Sequence, residues 1–321
     1  MSQDEAAHIC SMLTARLAGH SLPVIRQTSA KVIALLSSKN SDVETIAEAI
    51  RKDQSFMARI LNVANSAYYR RRGDKVTTIS RAILQIGYAT IRDIALAAEY
   101  VEFAHKRHAT GVNLHRLLAK AFVAAHQASA LAKAVRLPDP EMLFTSALLE
   151  SLGEFALASY LPVTFKEIGH ISIEDGVPYD EAHFRVTGLT PHAVTVLIAT
   201  AYQLPEELIA PVPDWDSMGD WLVTDRRHAV VHLANGCAAN LFSTESPLLL
   251  EDFNAFMTRA TAALGLQPSD IALLLTEAFQ EALTFAATVK IERSSFALGK
   301  LGGDTARQNL FHNCTQLIKS A

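Results

Sequence analysis

The sequence is poor in aromatic residues, in cysteine and in any excess of one charge. Aromatics make up 7% of the 321 residues while hydrophobic residues make up 50%, so the apolar surplus is carried by Ala and Leu, which suit helices packed through small and branched side chains. An all-α fold is expected, because no stretch shows the alternation of a half-buried strand. The 3 cysteines, Cys10, Cys237 and Cys314, are far apart and lack CxxC spacing. That argues against a disulfide framework and a zinc knuckle, and a reducing cytoplasm is the expected compartment. A net charge of −4 supplies no global positive field, so no nucleic-acid partner is expected.

Long apolar runs are also lacking. The longest, Val194 to Tyr202, includes two threonines and falls short of the roughly 20 residues that cross a bilayer, so no membrane span is expected. The start of the chain, Met1-Ser2-Gln3-Asp4-Glu5, is acidic and has no basic region followed by an apolar core, so export is not expected. There is no repeat of fixed period, and no nucleophile elbow, phosphate loop, dinucleotide fingerprint or HExxH string. These absences weaken the common enzyme readings.

What is present is helical periodicity. The length allows two or three packed helical lobes. Val43, Ile46, Ala47 and Ile50 make one i, i+3, i+4, i+7 stripe behind the capping candidates Ser41 and Asp42, and Phe56, Ile60, Leu61 and Ala64 make a second. Ile79, Ala82, Ile83 and Ile86 continue the series up to Gly87, a residue that accepts the left-handed conformation ending a helix. A longer stripe from Ile91 to Val101 ends at the polar stretch from His105 to Gly111, which marks a lobe boundary. An Ala-rich helix then runs from Leu114 to about Val135 and is closed by Pro138 and Pro140. A helix apolar on several faces is expected from Glu141 to Ser151, and others over 179–187, 191–202, 229–242, 249–264 and 268–289. Residues after Lys290 are expected to be weakly ordered. The resulting division is an N-terminal extension (1–20), an N-terminal helical lobe (21–110), a second helical lobe (111–242) and a C-terminal helical extension (243–321).

The string DQSFMARILNVANSAYY at 53–69, followed by TTISRAILQIGYATIRDIAL at 77–96, resembles the N-terminal signature of the HDOD family. The later segments LPDPEMLFTSALLESLGEF (137–155), Glu181, His192, YQLPEEL (202–208) and VVHLAN (230–235) keep the family's order, so the resemblance spans Ser21 to Phe242. It implies a multi-helical fold related to the HD phosphohydrolases and used in bacterial signal transduction. It also implies a departure from those enzymes. Glu150-Ser151 stands where HD hydrolases carry His-Asp, the earlier ligand histidine falls near Lys120, and the final ligand aspartate falls at Asn235. On this alignment no metal and no cofactor is expected, since an ammonium sits where a cation belongs and activation of water needs several converging N or O donors.

Each singled-out residue has an ordinary reading beside the functional one. Lys120, Glu150, Ser151, His192 and Asn235 are the candidates for a degenerate HD pocket. For Glu150 the ordinary role is a bond to neighbouring backbone or a pair with Lys120, and for His192 it is packing at a helix start. His115, His126, His192 and Glu150 could alternatively converge on a non-standard metal site. Asp53, Asn65, Ser66, Tyr69 and Arg71, with Tyr68, are candidates for a partner-facing rim, while Asn65-Ser66 also suits helix termination. Arg70-Arg71-Arg72 with Lys75 reads as a solvated loop. Trp215 and Trp221 could anchor a partner or simply pack their loop. The leading expectation is a non-catalytic regulator that binds a signalling protein in the groove between the lobes, with a homodimer compatible. The alternatives are a metal-dependent phosphohydrolase with a rebuilt site and a pseudoenzyme that binds a nucleotide or cyclic dinucleotide, with Lys120 and the arginines as phosphate contacts.

Overall fold

A computed structural model describes residues 27–38, 41–66, 69, 75–106, 112–211, 225–242, 262–289 and 291–298, together with residues 11 and 15. Among the described residues all regular structure is helical, in agreement with the composition. Helices α1 (Gln27–Ser37), α2 (Val43–Arg51), α3 (Gln54–Ala64) and α4 (Ile79–Lys106) come first, with α1, α2 and α3 all packed on α4. Two aspartates start helices as their residue type predicts. Asp42 accepts from the backbone N–H of Thr45 at 2.8 Å and Asp53 from that of Phe56 at 3.0 Å, each satisfying an N–H group that has no partner within its helix.

Helix α4 is broken at Gly87, which has φ 82° and ψ 162°. The positive φ agrees with the expected interruption, but ψ is extended and the helix resumes at once, so Gly87 is a kink and not a left-handed cap. Nothing lies within 4 Å of a Cβ built there. Glycine is needed for its backbone freedom and not for space.

The second group is built around α5 (Leu114–Ala134), which is buried on nearly every face and is packed by α6 (Pro140–Tyr160), α11 (Arg226–Phe242) and α12 (Pro268–Thr288). Helix α6 extends nine residues past the expected end at Ser151, because nothing between Leu152 and Tyr160 breaks it and Pro162 supplies the stop. Its Gly153 is accommodated by α9 (Pro191–Ala201), where a Cβ would lie 2.6 Å from the Pro191 carbonyl oxygen. Between them lie α7 (Pro162–Glu174) and α8 (Tyr179–Thr187), and a short α10 (Glu206–Ile209) follows α9. Helix α7 was not expected. Only Ile168 in it is fully buried while Val163 and Ile173 are exposed, so it carries no apolar stripe to read.

One expectation about the C-terminal part needs correction. Residues 291–298 are ordered, with a 3-10 turn at Arg293–Phe296 that buries Phe296 against Phe242 and Phe279. One helical stretch among the described residues, Ser269–Thr288, is also long and apolar enough to cross a membrane by length and composition. Its Ile271, Leu275, Phe279, Ala282 and Phe285 are buried, and the helix packs on α5. It therefore reads as a core helix. Most of the helix expected over 249–264 lies outside the described residues.

Candidate functional site

The second lobe encloses a cluster of charged and polar side chains contributed by four helices. Lys120 comes from α5, Glu150 and Glu154 from α6, Tyr179, Asp180 and His183 from α8, and Asn235 from α11. Lys120 does not pair with Glu150 as expected. Its ammonium forms an ion pair with Glu154, both side chains being mostly buried. Glu150 is instead bonded by Asn235, whose Nδ2 donates to its Oε2 as well as to the Val231 carbonyl.

The backbone of α6 is fixed at the same point. Thr195 Oγ1 accepts from the Gly153 N–H at 3.0 Å and donates to the Glu150 carbonyl at 3.2 Å. This pins α9 to the turn that carries Glu150 and Glu154. Ser151 is buried beside them, and His192 is half-buried at the start of α9.

One ammonium faces three carboxyl groups, and the electrostatics follow from that imbalance. Burial, then the Glu154 charge, pushes Asp180 up to about 7, with Lys120 opposing. Burial and the Asp180 charge also push Glu150 well above the ordinary carboxylate range. Both residues keep some surface in solvent, but the carboxyls themselves are withdrawn from water, which disfavours the ionised form. His183 is held down by burial, and its Nδ1–H donates to the Leu189 carbonyl at 2.6 Å. Tyr179 OH, Asp180 Oδ2 and His183 Nε2 are buried without a hydrogen-bond partner.

Glu154, Asp180 and His183 were missed in the sequence. A signal existed: Glu154 is i+4 from Glu150, and Asp180 and His183 are i, i+3 on a helix whose limits were read correctly. The alternative constellation of His115, His126, His192 and Glu150 is not assembled. His126 lies in the core, donating from Nδ1 to the Phe122 carbonyl at 2.8 Å with its ring against Phe144 and Phe285. Burial pushes its pKa down to about 4. Among the described residues no group of three or more His, Cys, Asp or Glu side chains is arranged to hold a metal ion.

The rim candidates are scattered in role. Asn65 uses both ends of its amide: Nδ2 donates to the carbonyls of Leu61 and Val76, and Oδ1 accepts from the Val76 N–H, each at 2.8 Å. It thereby ends α3 and closes the loop that contains the arginine run. Asp53 is the cap already described. Ser66 Oγ is buried without a hydrogen-bond partner. Tyr69 is half-buried against the core, and its carbonyl accepts from Gln85 Nε2 at 3.2 Å. Tyr68, Arg71, Trp215 and Trp221 lie outside the described residues.

A kinked α4 carries the N-terminal helical group against a lobe with an acidic, lysine-bearing interior, in a protein that is all-helical among the described residues. The chain belongs to the HDOD domain family, whose model matches residues 22–215, more than half of the sequence. Helix α11 with Asn235 falls outside that match. The fold is similar to an HDOD domain protein of unknown function from Geobacter sulfurreducens, at 18% identity and a TM-score of 0.61 over 85% of this chain and 96% of that one. It is similar to a candidate phosphohydrolase from Shewanella amazonensis, at 20% identity and a TM-score of 0.60, over 89% and 98% of the two chains. It is also similar to a candidate signal transduction protein from Marinobacter aquaeolei, at 15% identity and a TM-score of 0.63, over 89% and 66%. No match to a curated protein was found.

Proposed function

We propose that this chain is a non-catalytic regulator of bacterial signal transduction that acts by binding another signalling protein. The observation that carries the proposal is the Lys120–Glu154 ion pair beside the Asn235–Glu150 hydrogen bond. In this reading the positions where an HD hydrolase would gather ligands are Lys120, Glu150-Ser151 and Asn235. A fixed ammonium repels a divalent cation, and an amide spent on a carboxylate is a poor ligand. The donor set does not fit a catalytic metal, so no hydrolytic step is derived through one. Lys120 is likewise committed to Glu154, which removes the cation that a nucleotide-binding reading needs.

The partner surface in this proposal is the segment between Asn65 and Val76, which contains Ser66, Tyr69 and Arg71, together with Asp53. Its partner is a second protein and not a nucleic acid or a membrane.

Elemental analysis of the protein purified from manganese- and zinc-supplemented cells, paired with hydrolysis assays on phosphomonoesters, nucleotides and cyclic dinucleotides, tests the proposal. The expected result is substoichiometric metal and no turnover. A stoichiometric cation whose chelation abolishes hydrolysis overturns it. Affinity purification from the native cytoplasm, comparing wild type with Arg71→Glu, tests the partner surface, and an identical set of bound proteins would remove Arg71 from it.

A further inference from the structure

The contact between α4 and α6 contains a polar junction apart from the pocket. Arg92 and Asp93 on α4 are only 6% and 7% exposed, and Thr145 on α6 is fully buried. Arg92 Nε donates to Thr145 Oγ1 at 3.0 Å and Arg92 Nη2 donates to the Glu141 carbonyl at 2.9 Å. Thr145 in turn donates to Asp93 Oδ1 at 2.5 Å, the short distance of a hydroxyl bound to a carboxylate. The same hydroxyl lies 3.1 Å from the Glu141 carbonyl one turn back in its own helix. One proton on Thr145 therefore has two acceptors.

That geometry gives two complete hydrogen-bond patterns. With Asp93 ionised, Thr145 donates to it. With Asp93 protonated, the new O–H donates to Thr145 Oγ1, and the threonine proton rotates to the Glu141 carbonyl. Arg92 keeps both of its bonds in either state, and its 3.7 Å ion pair with Asp93 is what is given up when the carboxyl takes a proton from solvent. Buried polar networks are costly when partly satisfied, and this one is satisfied both ways.

We propose that Asp93, Thr145 and Arg92 form a proton-binding junction between the N-terminal helical group and the α5–α6 lobe, with the Thr145 hydroxyl as the rotor that lets the contact respond to pH without breaking. The charged groups around it leave Asp93 as the titrating member. Arg92 beside it and Glu141 on α6 act on it, the first opposing protonation and the second favouring it. Elsewhere on packed elements, Arg59 of α3 is held by Glu102 and the Ala98 carbonyl, Glu99 accepts from Ser29 of α1, Glu44 and Arg51 of α2 pair with each other, and Lys120 of α5 is held by Glu154. Burial raises the Asp93 carboxyl to about 6 from an ordinary 3.8, so the junction holds its proton more tightly folded than unfolded. Stability from this source is present at low pH and is lost as pH rises through about 6.

The test is the pH dependence of urea unfolding for wild type, Asp93→Asn, Thr145→Ser and Thr145→Val. Between pH 7 and pH 4 the folding constant of wild type relative to Asp93→Asn is expected to rise by up to about a hundredfold, from the two-unit displacement of Asp93. Thr145→Ser should keep that response at the same pH, whereas Thr145→Val, which removes the donor that favours the ionised carboxyl, should move it to higher pH; a purely structural threonine would lower stability equally at every pH. A second measurement uses wild type alone: carbon-13 NMR of the aspartate side-chain carboxyls, in which one resonance should titrate near pH 6. Parallel pH profiles for wild type and Asp93→Asn, or no aspartate resonance titrating near pH 6 that Asp93→Asn removes, would overturn the proposal.

Discussion

The ammonium of Lys120 meets the carboxylate of Glu154, one helical turn beyond Glu150, the residue that sequence position alone would have chosen. It is the cation that Glu154 pairs with in a cluster that also holds Glu150 and Asp180. Replacing Lys120 by Met keeps the aliphatic volume and leaves those carboxyls without a counter-charge. Removing one partner of a buried pair costs about 3–5 kcal/mol, and the loss should be largest at pH 8 and shrink by pH 5 as Glu150 and Asp180 protonate. Urea unfolding at the two pH values measures it. An equal loss at both would mean that the lysine acts by packing alone.

Asp180 gives the pocket its own pH signature. Its folded carboxyl is raised to about 7 against 3.8 unfolded, so the native state binds the proton more tightly. Stability should therefore fall as pH rises from about 4 to about 7, by at most about 1.4 kcal/mol per pH unit for this one group. Asp180→Asn mimics the protonated form, so it should flatten that slope and be more stable than wild type at pH 8. Thermal unfolding across the range is the measurement, and an unaltered slope would place the proton elsewhere.

Gly153 sits where α6 and α9 approach most closely. A Cβ there would lie 2.6 Å from the Pro191 carbonyl oxygen and 3.0 Å from Thr195 Oγ1, and the first of these is backbone and cannot rotate away. Gly153→Ala gains helix propensity of about 1 kcal/mol but must push α9 outward, and overpacking of this kind costs about 1–3 kcal/mol. A net fall in melting temperature is expected, together with faster amide exchange at the start of α9.

The fold was legible wherever a helix buries one face or carries a typed cap. The ends of α8 and α9, the Asp42 cap and the break at Gly87 all follow from residue type and spacing. What was not legible had no periodic signal. Helix α7 exposes Val163 and Ile173, and α6 is apolar on all sides, so its length could not be read from a stripe. The site was legible to the level of one helix face. Lys120, Glu150 and Asn235 share one cluster, yet Glu150 takes its bond from Asn235, 85 residues away, and Lys120 pairs with Glu154, contacts no local pattern encodes. The Arg92–Thr145–Asp93 junction was invisible for the same reason.

Asn65 makes a local prediction. Its amide ties the end of α3 to Val76 across the loop that carries the arginines, with both oxygen and nitrogen in use. Asn65→Ala leaves the Val76 N–H and carbonyl without these partners, at a cost of about 1–3 kcal/mol. Because the bonds close a loop, the expected signature is faster proteolytic cleavage between residues 66 and 76. Asn65→Asp should recover part of the protection, since its oxygen can still accept from Val76. Unchanged cleavage in the alanine variant would show that the loop is held by other contacts.

The C-terminal turn gives a final prediction, because its burial contradicts its polar sequence. Within Arg293–Phe296 only Ser295 and Phe296 are buried, and Phe296 stands edge-on to Phe279 of α12 and at a tilt to Phe242 of α11, with ring centroids 6.1 and 6.3 Å away. Arg116 at the start of α5 completes the closure by donating to the carbonyls of Phe242 and Ala297. A single aromatic side chain thus packs against both α11 and α12, and truncating such a residue costs about 3–5 kcal/mol. Phe296→Ala should lower the unfolding free energy from urea titration by that amount, whereas Phe296→Leu, which refills most of the volume, should recover more than half. If the turn were only a surface adornment, the two variants would unfold together with wild type.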